Sequence, residues 1–259
     1  MGAAREAASR GLLKKAGEAV DRAIQAAPSD PRGYHLRAEL AARVGGWLEA
    51  EVDYGRAIER APQEPSLYML RGTTRLRLGR FEPALSDFDR YAALRPSRAS
   101  DLWQRGIVLF FLGRFDEGRR QFEVHRTVNP RDVENSAWHF ACVAWATSAK
   151  AAEAGWLSVS GDPRVPMREI ADLMSGRGSE EQVLAAAEAV TDPAQRDAAL
   201  LYANLYLAMY HGAWRRPEPE ARYIARASEK AAELGVMGAV ALRYADWVTA
   251  RMRGRGPAP

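Results

Sequence analysis

His139 and Cys142 lie three residues apart, which would place an imidazole and a thiol on one face of a helix. A base beside a thiol can create a nucleophile, but the base then needs a third group to orient it. A zinc site would need further ligands at tetrahedral spacing. Neither requirement is met, because Cys142 is the only cysteine and His35, His125 and His211 are scattered. The pair reads as a buried thiol beside an interfacial imidazole, and a hydrolase or transferase built on it ranks third among the functions considered. The stretch "SGRGSEE" at 175–181 has two glycines but neither a preceding strand nor a lysine, so it is a helix stop and start rather than a phosphate cradle. No catalytic residue, metal ligand or cofactor site is expected.

A second set of chemistry-bearing residues recurs. Arg37, Arg71 and Arg105 are each 34 residues apart, and sixteen residues after them stand Asp53, Asp87 and Gln121. A guanidinium can hold a carboxylate through two parallel hydrogen bonds. The leading reading is a structural ion pair within each unit, Arg37 with Asp53 and Arg71 with Asp87. The alternative is a ladder of arginines that grips an anionic ligand.

The elements that must position these residues follow from the same period. Prolines fall at 28, 62, 96 and 130, and a spacing of 34 suits a solenoid of helix pairs. Asp30-Pro31 has the form of an N-cap and a first-turn proline. It sets full units at 31–64, 65–98 and 99–132, with a half unit at 10–30. Small residues stand where helices must cross closely, at Ala38, Gly72 and Gly106 and at Ala50, Ala84 and Gly118. Tyr34, Tyr68, Tyr54, Phe88 and Phe122 fill the space between, and Gly79 and Gly113 supply turns.

This pattern resembles the tetratricopeptide repeat family over residues 10–132. The resemblance implies an all-α, right-handed superhelix of helix pairs with a concave binding face. The chain departs from the family at Arg37, Arg71 and Arg105, where leucine is usual. Beyond Pro130 the register fails. Residues 133–253 are expected to form irregular and repeat-like helices, among them one over roughly 219–234 and one over 237–253, followed by a basic mobile tail at 254–259. The whole-chain pattern is similar to bacterial tetratricopeptide adaptor lipoproteins, without their anchor cysteine. It is also similar to bacterial and plastid tetratricopeptide proteins that carry "WQRG", "FxLGRFDEG" and "PMRE".

In a unit of this type the inner face of the first helix would present Arg43 and Arg77, then Trp103, Phe110 and Phe111, and in the fourth unit Trp138 and Trp145. Such a groove suits a peptide or protein with an apolar or aromatic anchor. The competing reading has the C-terminal helices folding back to fill it, since an exposed row of aromatics this size is an aggregation liability.

With 47% hydrophobic and 27% charged residues, the chain can bury a substantial core. Its formal charge is +4, yet 12 arginines against 7 carboxylates between Pro65 and Pro130 account for the excess. A basic stripe with interleaved stacking groups is lacking, which argues against nucleic acid as a partner. No apolar run reaches the roughly 18 residues of a membrane span. A soluble, cytoplasmic protein is expected, or a periplasmic or plastid one if a targeting segment has been removed. The function expected is a non-enzymatic scaffold or interaction module. The alternative is a subunit of a complex, or a homodimer, with the aromatic row as its obligate interface.

Overall fold

In a computed structural model, which describes residue 2, residues 12–159 and residues 161–254, every regular element among the described residues is a helix. Residues 10 and 11 of the half unit and 255–259 of the tail lie outside the described residues. The chain divides into two compact units, Met1–Ala99 and Ser100–Pro259. All of the third repeat, 99–132, except its first residue therefore belongs with the C-terminal helices.

Unit 1 contains α1 (Leu13–Ala26), α2 (Pro31–Arg43), α3 (Trp47–Arg60), α4 (Pro65–Arg77) and α5 (Phe81–Leu94). The helix starts at 31 and 65 are written in the chain: the Asp30 carboxylate accepts from the Arg32 amide at 2.9 Å, Glu64 accepts from the Ser66 amide, and a proline follows each. Gly45 and Gly79 turn the chain between paired helices at φ of 81° and 72°, a region closed to most side chains. The repeating aromatics then close each pair. Tyr34 and Tyr68 are buried and donate to the carbonyls of Pro28 and Pro62 at 3.2 and 3.1 Å, so the 34-residue period recurs in the hydrogen bonds. Gly72 lies so close to Phe88 that a Cβ there would stand 2.8 Å from the ring.

The repeat arginines are consumed inside this frame. Arg37 donates to both oxygens of Asp53, at 2.6 and 2.9 Å, and also to Asp21 at 2.9 Å. These hydrogen bonds, Asp53 foremost, outweigh partial burial and raise the guanidinium pKa further. Arg71 holds Asp87 in the same two-bond fashion, at 3.0 and 2.7 Å. Arg75 also reaches Asp87 and bridges it to Glu51, which pairs with Arg80 as well. An arginine so engaged cannot offer its fork to an incoming anion.

Unit 2 contains α6 (Trp103–Phe111), α7 (Phe115–His125), α8 (Val133–Ala146), α9 (Ala149–Ala154), α10 (Met167–Met174), α11 (Glu180–Glu188), α12 (Pro193–Ala213), α13 (Pro217–Ser228) and α14 (Gly235–Met252). The pair α6–α7 repeats the earlier device, with Gly113 at φ 73° in the turn and the Phe122 ring against Gly106. Arg105 meets the neutral Gln121 at 3.3 Å. The helix expected over 219–234 stops at Ser228. A 3-10 turn at Ala231–Glu233 follows, and Gly235 at φ 65° starts α14. Gly238 packs directly on the Ala231 carbonyl, an approach that only a residue without a side chain allows.

Removing one partner of a buried ion pair costs more than removing both, because the survivor is left desolvated. Asp53→Ala should therefore destabilise the protein by about 2 to 4 kcal/mol in urea titrations. The double variant Arg37→Leu/Asp53→Leu should recover most of that loss. A double variant less stable than the single one would contradict a structural role for the pair.

Candidate functional site

Helix α14 occupies the inner face of α6 and α8. The Phe110 ring stacks with Tyr244 at 6.2 Å and lies 5.2 Å from Trp247, and Trp145 meets Trp247 edge-on at 4.8 Å. Arg251 covers both indoles at 4.7 Å, and Arg215 covers Trp145 at 3.8 Å. Phe110, Phe111, Trp138 and Trp145 are all buried, so they are core residues of unit 2 and offer no open groove. The physical reason is the apolar area itself, which the chain covers with its own last helix. The closure is bolted by Glu220, 1% exposed, which accepts from Tyr244 at 3.0 Å and pairs with Arg251. In unit 1, Arg77 lies over the Trp47 ring at 4.3 Å, where burial lowers its pKa, and Arg43 is exposed.

Trp103 remains part-exposed, and it opens onto something the sequence did not announce. A cavity of about 330 Å³ lies in unit 2, with a wall of Trp103, Ile107, Trp138, Leu234, Val236 and Met237 and a floor of Asp132, Glu134, Asn135, Arg164 and Tyr202. Asp132 caps α8, accepting from the Glu134 amide at 3.1 Å, and so places Glu134 in the first turn. Arg164 comes from the loop before α10. It pairs with Asp132 and Asp162, each at 2.6 Å, and with Glu134. Tyr206 of α12 donates to Glu134 at 2.8 Å.

Three carboxylates thus share one guanidinium, and burial decides how they respond. Burial pushes Glu134 up to about 7 against the opposing pull of Arg164 and Tyr206. Burial would also raise Asp162, but hydrogen bonds from Arg164 and from the Val133 amide outweigh it and hold that carboxyl below its usual range. Two polar atoms are left over. Asn135 donates through Nδ2 to the Phe122 carbonyl at 3.0 Å, which fixes its amide orientation, and its buried Oδ1 has no partner among the described residues. The buried Trp138 Nε1–H also has none.

The His139–Cys142 pair does not assemble into a nucleophile. His139 faces Glu123 at 3.4 Å, and Cys142 is buried against Gly118. Burial pushes the thiol up and the imidazole down, opposite to what a reactive pair needs. Among the described residues no group of three or more His, Cys, Asp or Glu is placed to hold a metal ion, and no helix is long and apolar enough to cross a membrane.

No protein-family model and no curated protein sequence matches the chain. Solved structures do match it. A tetratricopeptide repeat protein from Parabacteroides merdae is 19% identical, covering 93% of this chain and 96% of that one, with a TM-score of 0.61. The MamA protein is 13% identical over 68% of this chain and 90% of its own, at 0.56. The pilF protein of Pseudomonas aeruginosa is 14% identical over 93% of each chain, at 0.50. At such identities the likeness shows the fold, and the chain has the tetratricopeptide-repeat fold.

The raised pKa of Glu134 has a definite sign in stability. The folded state holds a proton there that the unfolded chain releases near 4.5. Its contribution is complete below that pH and is lost as pH rises through about 7. The stability of the native protein minus that of Glu134→Gln should fall across this window, by up to about 1.4 kcal/mol per pH unit, and then level off. Denaturant titrations from pH 4 to 8 check this, and a difference independent of pH would contradict it.

Proposed function

We propose that the chain is a non-enzymatic interaction module that engages a peptide or protein through the pocket beside Trp103. The observation that carries this reading is the pocket's make-up. Within an inner face otherwise sealed by α14, one cavity combines apolar side chains and the indole of Trp103 with the polar side chains of Asp132, Glu134, Asn135 and Arg164, which is the mixture that recognition sites use. The sealed groove supports moving the expected anchor site from the whole aromatic row to this one position. The arginines held in ion pairs support a partner other than nucleic acid. A high thiol pKa and the separation of His139 from Cys142 by their partners support a role without catalysis.

A second reading has an observation of its own. Val44, Leu48 and Val52 in unit 1 are between 52% and 65% exposed, beside a shallow depression lined by Ala41, Arg37 and Arg56. Such a patch suits a subunit interface, so a structural or homodimeric role would use this surface rather than the aromatic row.

Selection of a displayed peptide library on the purified protein tests the first reading. Enriched peptides should lose at least tenfold in affinity, about 1.4 kcal/mol, when Trp103 is replaced by Glu. Failure to enrich any peptide, or binding indifferent to Trp103→Glu, would contradict it. Light scattering tests the second: a dimer dissociated by Val52→Asp would favour the unit 1 interface, and a monomer at all concentrations would remove it.

A further inference from the structure

The turn between α12 and α13 differs from the other helix-pair turns in one residue. In the three repeats the turn residue is a glycine at positive φ, Gly45, Gly79 and Gly113. Each donates to the carbonyl three residues earlier, and the amide after it reaches the carbonyl five residues earlier. Arg215 makes the same turn, donating to the Gly212 carbonyl while Arg216 donates to that of His211. Its φ is 58°, and it is the one non-glycine residue at positive φ among the described residues. A side chain is disfavoured in that conformation, so the arginine stands where glycine would fit without strain. Strain of this kind directs attention to what the side chain does.

The Arg215 guanidinium rests on the Trp145 ring at 3.8 Å, and Arg251 lies on the same ring at 4.7 Å. Two like charges thus share one indole. Glu220, the buried carboxylate nearby, is engaged by Arg251 and Tyr244. Burial, and after it the charge of Arg251, holds the Arg215 guanidinium below its usual range. Covering the indole does not account for the extra charge, since Trp247 and Arg251 already pack on Trp145. Arg215 and Arg216 are both exposed, and among the described residues neither has a carboxylate within ion-pair distance, Glu218 of the same turn included.

The geometry also selects the acceptor. With one face on the indole, the Arg215 guanidinium keeps its in-plane edge of N–H donors, which suits a planar, two-oxygen group. The chain's own arginines show that complement, since Arg37 and Arg71 each hold an aspartate through Nε and Nη2. A phosphate would use donors from several directions. A nucleic acid would use a longer run of cations than this turn supplies. Arg251 is fifteen residues beyond Val236 on α14, about 22 Å along the helix, so the turn is separate from the cavity beside Trp103.

We propose that the turn carrying Arg215 and Arg216, backed by Trp145 and Arg251, docks an acidic segment of a partner protein whose Asp or Glu side chains accept from the two exposed guanidiniums. This goes beyond the Trp103 pocket and does not depend on it.

The test is an NMR titration of the labelled full chain, following the arginine Nε–H signals. Four probes are used: the peptide Ala-Glu-Glu-Gly-Glu-Glu-Ala, acetylated and amidated so that only side chains carry charge, its glutamine counterpart, its phosphoserine counterpart and a single-stranded thymidine oligomer. The glutamate peptide should shift the Arg215 signal saturably, at least about tenfold more tightly than the glutamine peptide. Binding should weaken several-fold between about 50 and about 300 mM salt. Arg215→Asn, whose new side chain tolerates the left-handed turn, should weaken it about tenfold with circular dichroism unchanged. Arg216→Gln, on an exposed position, should weaken it about threefold and decides the matter if the first variant fails to fold. Equal binding of the glutamine peptide, tighter binding of the phosphoserine peptide or the oligomer, indifference to these substitutions, or no shift with any probe would overturn the inference. Trp103→Glu should leave the glutamate peptide's affinity unchanged. A loss there would place that peptide at the pocket and overturn this inference while leaving the interaction module standing.

Discussion

An inner face as aromatic as that of α6 and α8 must be covered by something, and in unit 2 the indole of Trp247 is part of that cover. It lies 5.2 Å from Phe110 and 4.8 Å from Trp145, joining the first helix of the third repeat to the fourth. Once α14 is seated there, the remaining choices narrow. Tyr244 and Arg251 converge on Glu220, whose near-complete burial is tolerable only because both donors reach it. Gly212 has no side chain because one would strike that carboxylate and the Tyr244 hydroxyl. The aromatic surface that would otherwise attract a partner is used for folding.

The seal is incomplete at the start of α14. Leu234, Val236 and Met237 line the same cavity as Trp103 and Ile107, and its polar floor is organised around Glu134. That floor is costly by design of its own charges: one arginine serves three carboxylates. A folded protein keeps such a cluster where the compensating group arrives from outside or where its geometry fixes a loop, and Arg164 plainly does the second, tying residues 162–164 to the cap of α8. Loop fixing does not account for the part-exposed indole of Trp103 beside this cluster, and that indole is what moves the reading toward recognition.

Much of the architecture was legible in the sequence because helix pairs are held by local contacts. A proline every 34 residues, an arginine followed sixteen later by an aspartate, and a small residue opposite each aromatic all report on neighbours within one unit. The pocket was not legible, since Glu134 meets Arg164 thirty residues away and Tyr206 seventy-two away, across a stretch with no period. "GDPRVP" reads as a loop, and nothing in its spacing marks Arg164 as a ligand of the α8 cap. The aromatic row posed a different problem. Phe110 and Trp145 have the same sequence signature whether they face a partner or the chain's own last helix, and only the position of α14 separates the two. Trp103 alone of the row kept some exposure, and it now borders the site.

The central claim is that α14 fills the groove in solution, and a double-mutant cycle between Phe110 and Trp247 tests it most directly. With each residue replaced by Leu, singly and together, unfolding free energies from urea titrations yield their coupling. The account predicts a favourable coupling of about 0.5 to 1.5 kcal/mol, the range for an aromatic pair in contact. Additive effects, with no coupling, would mean that the two rings do not meet and that the aromatic groove stands open.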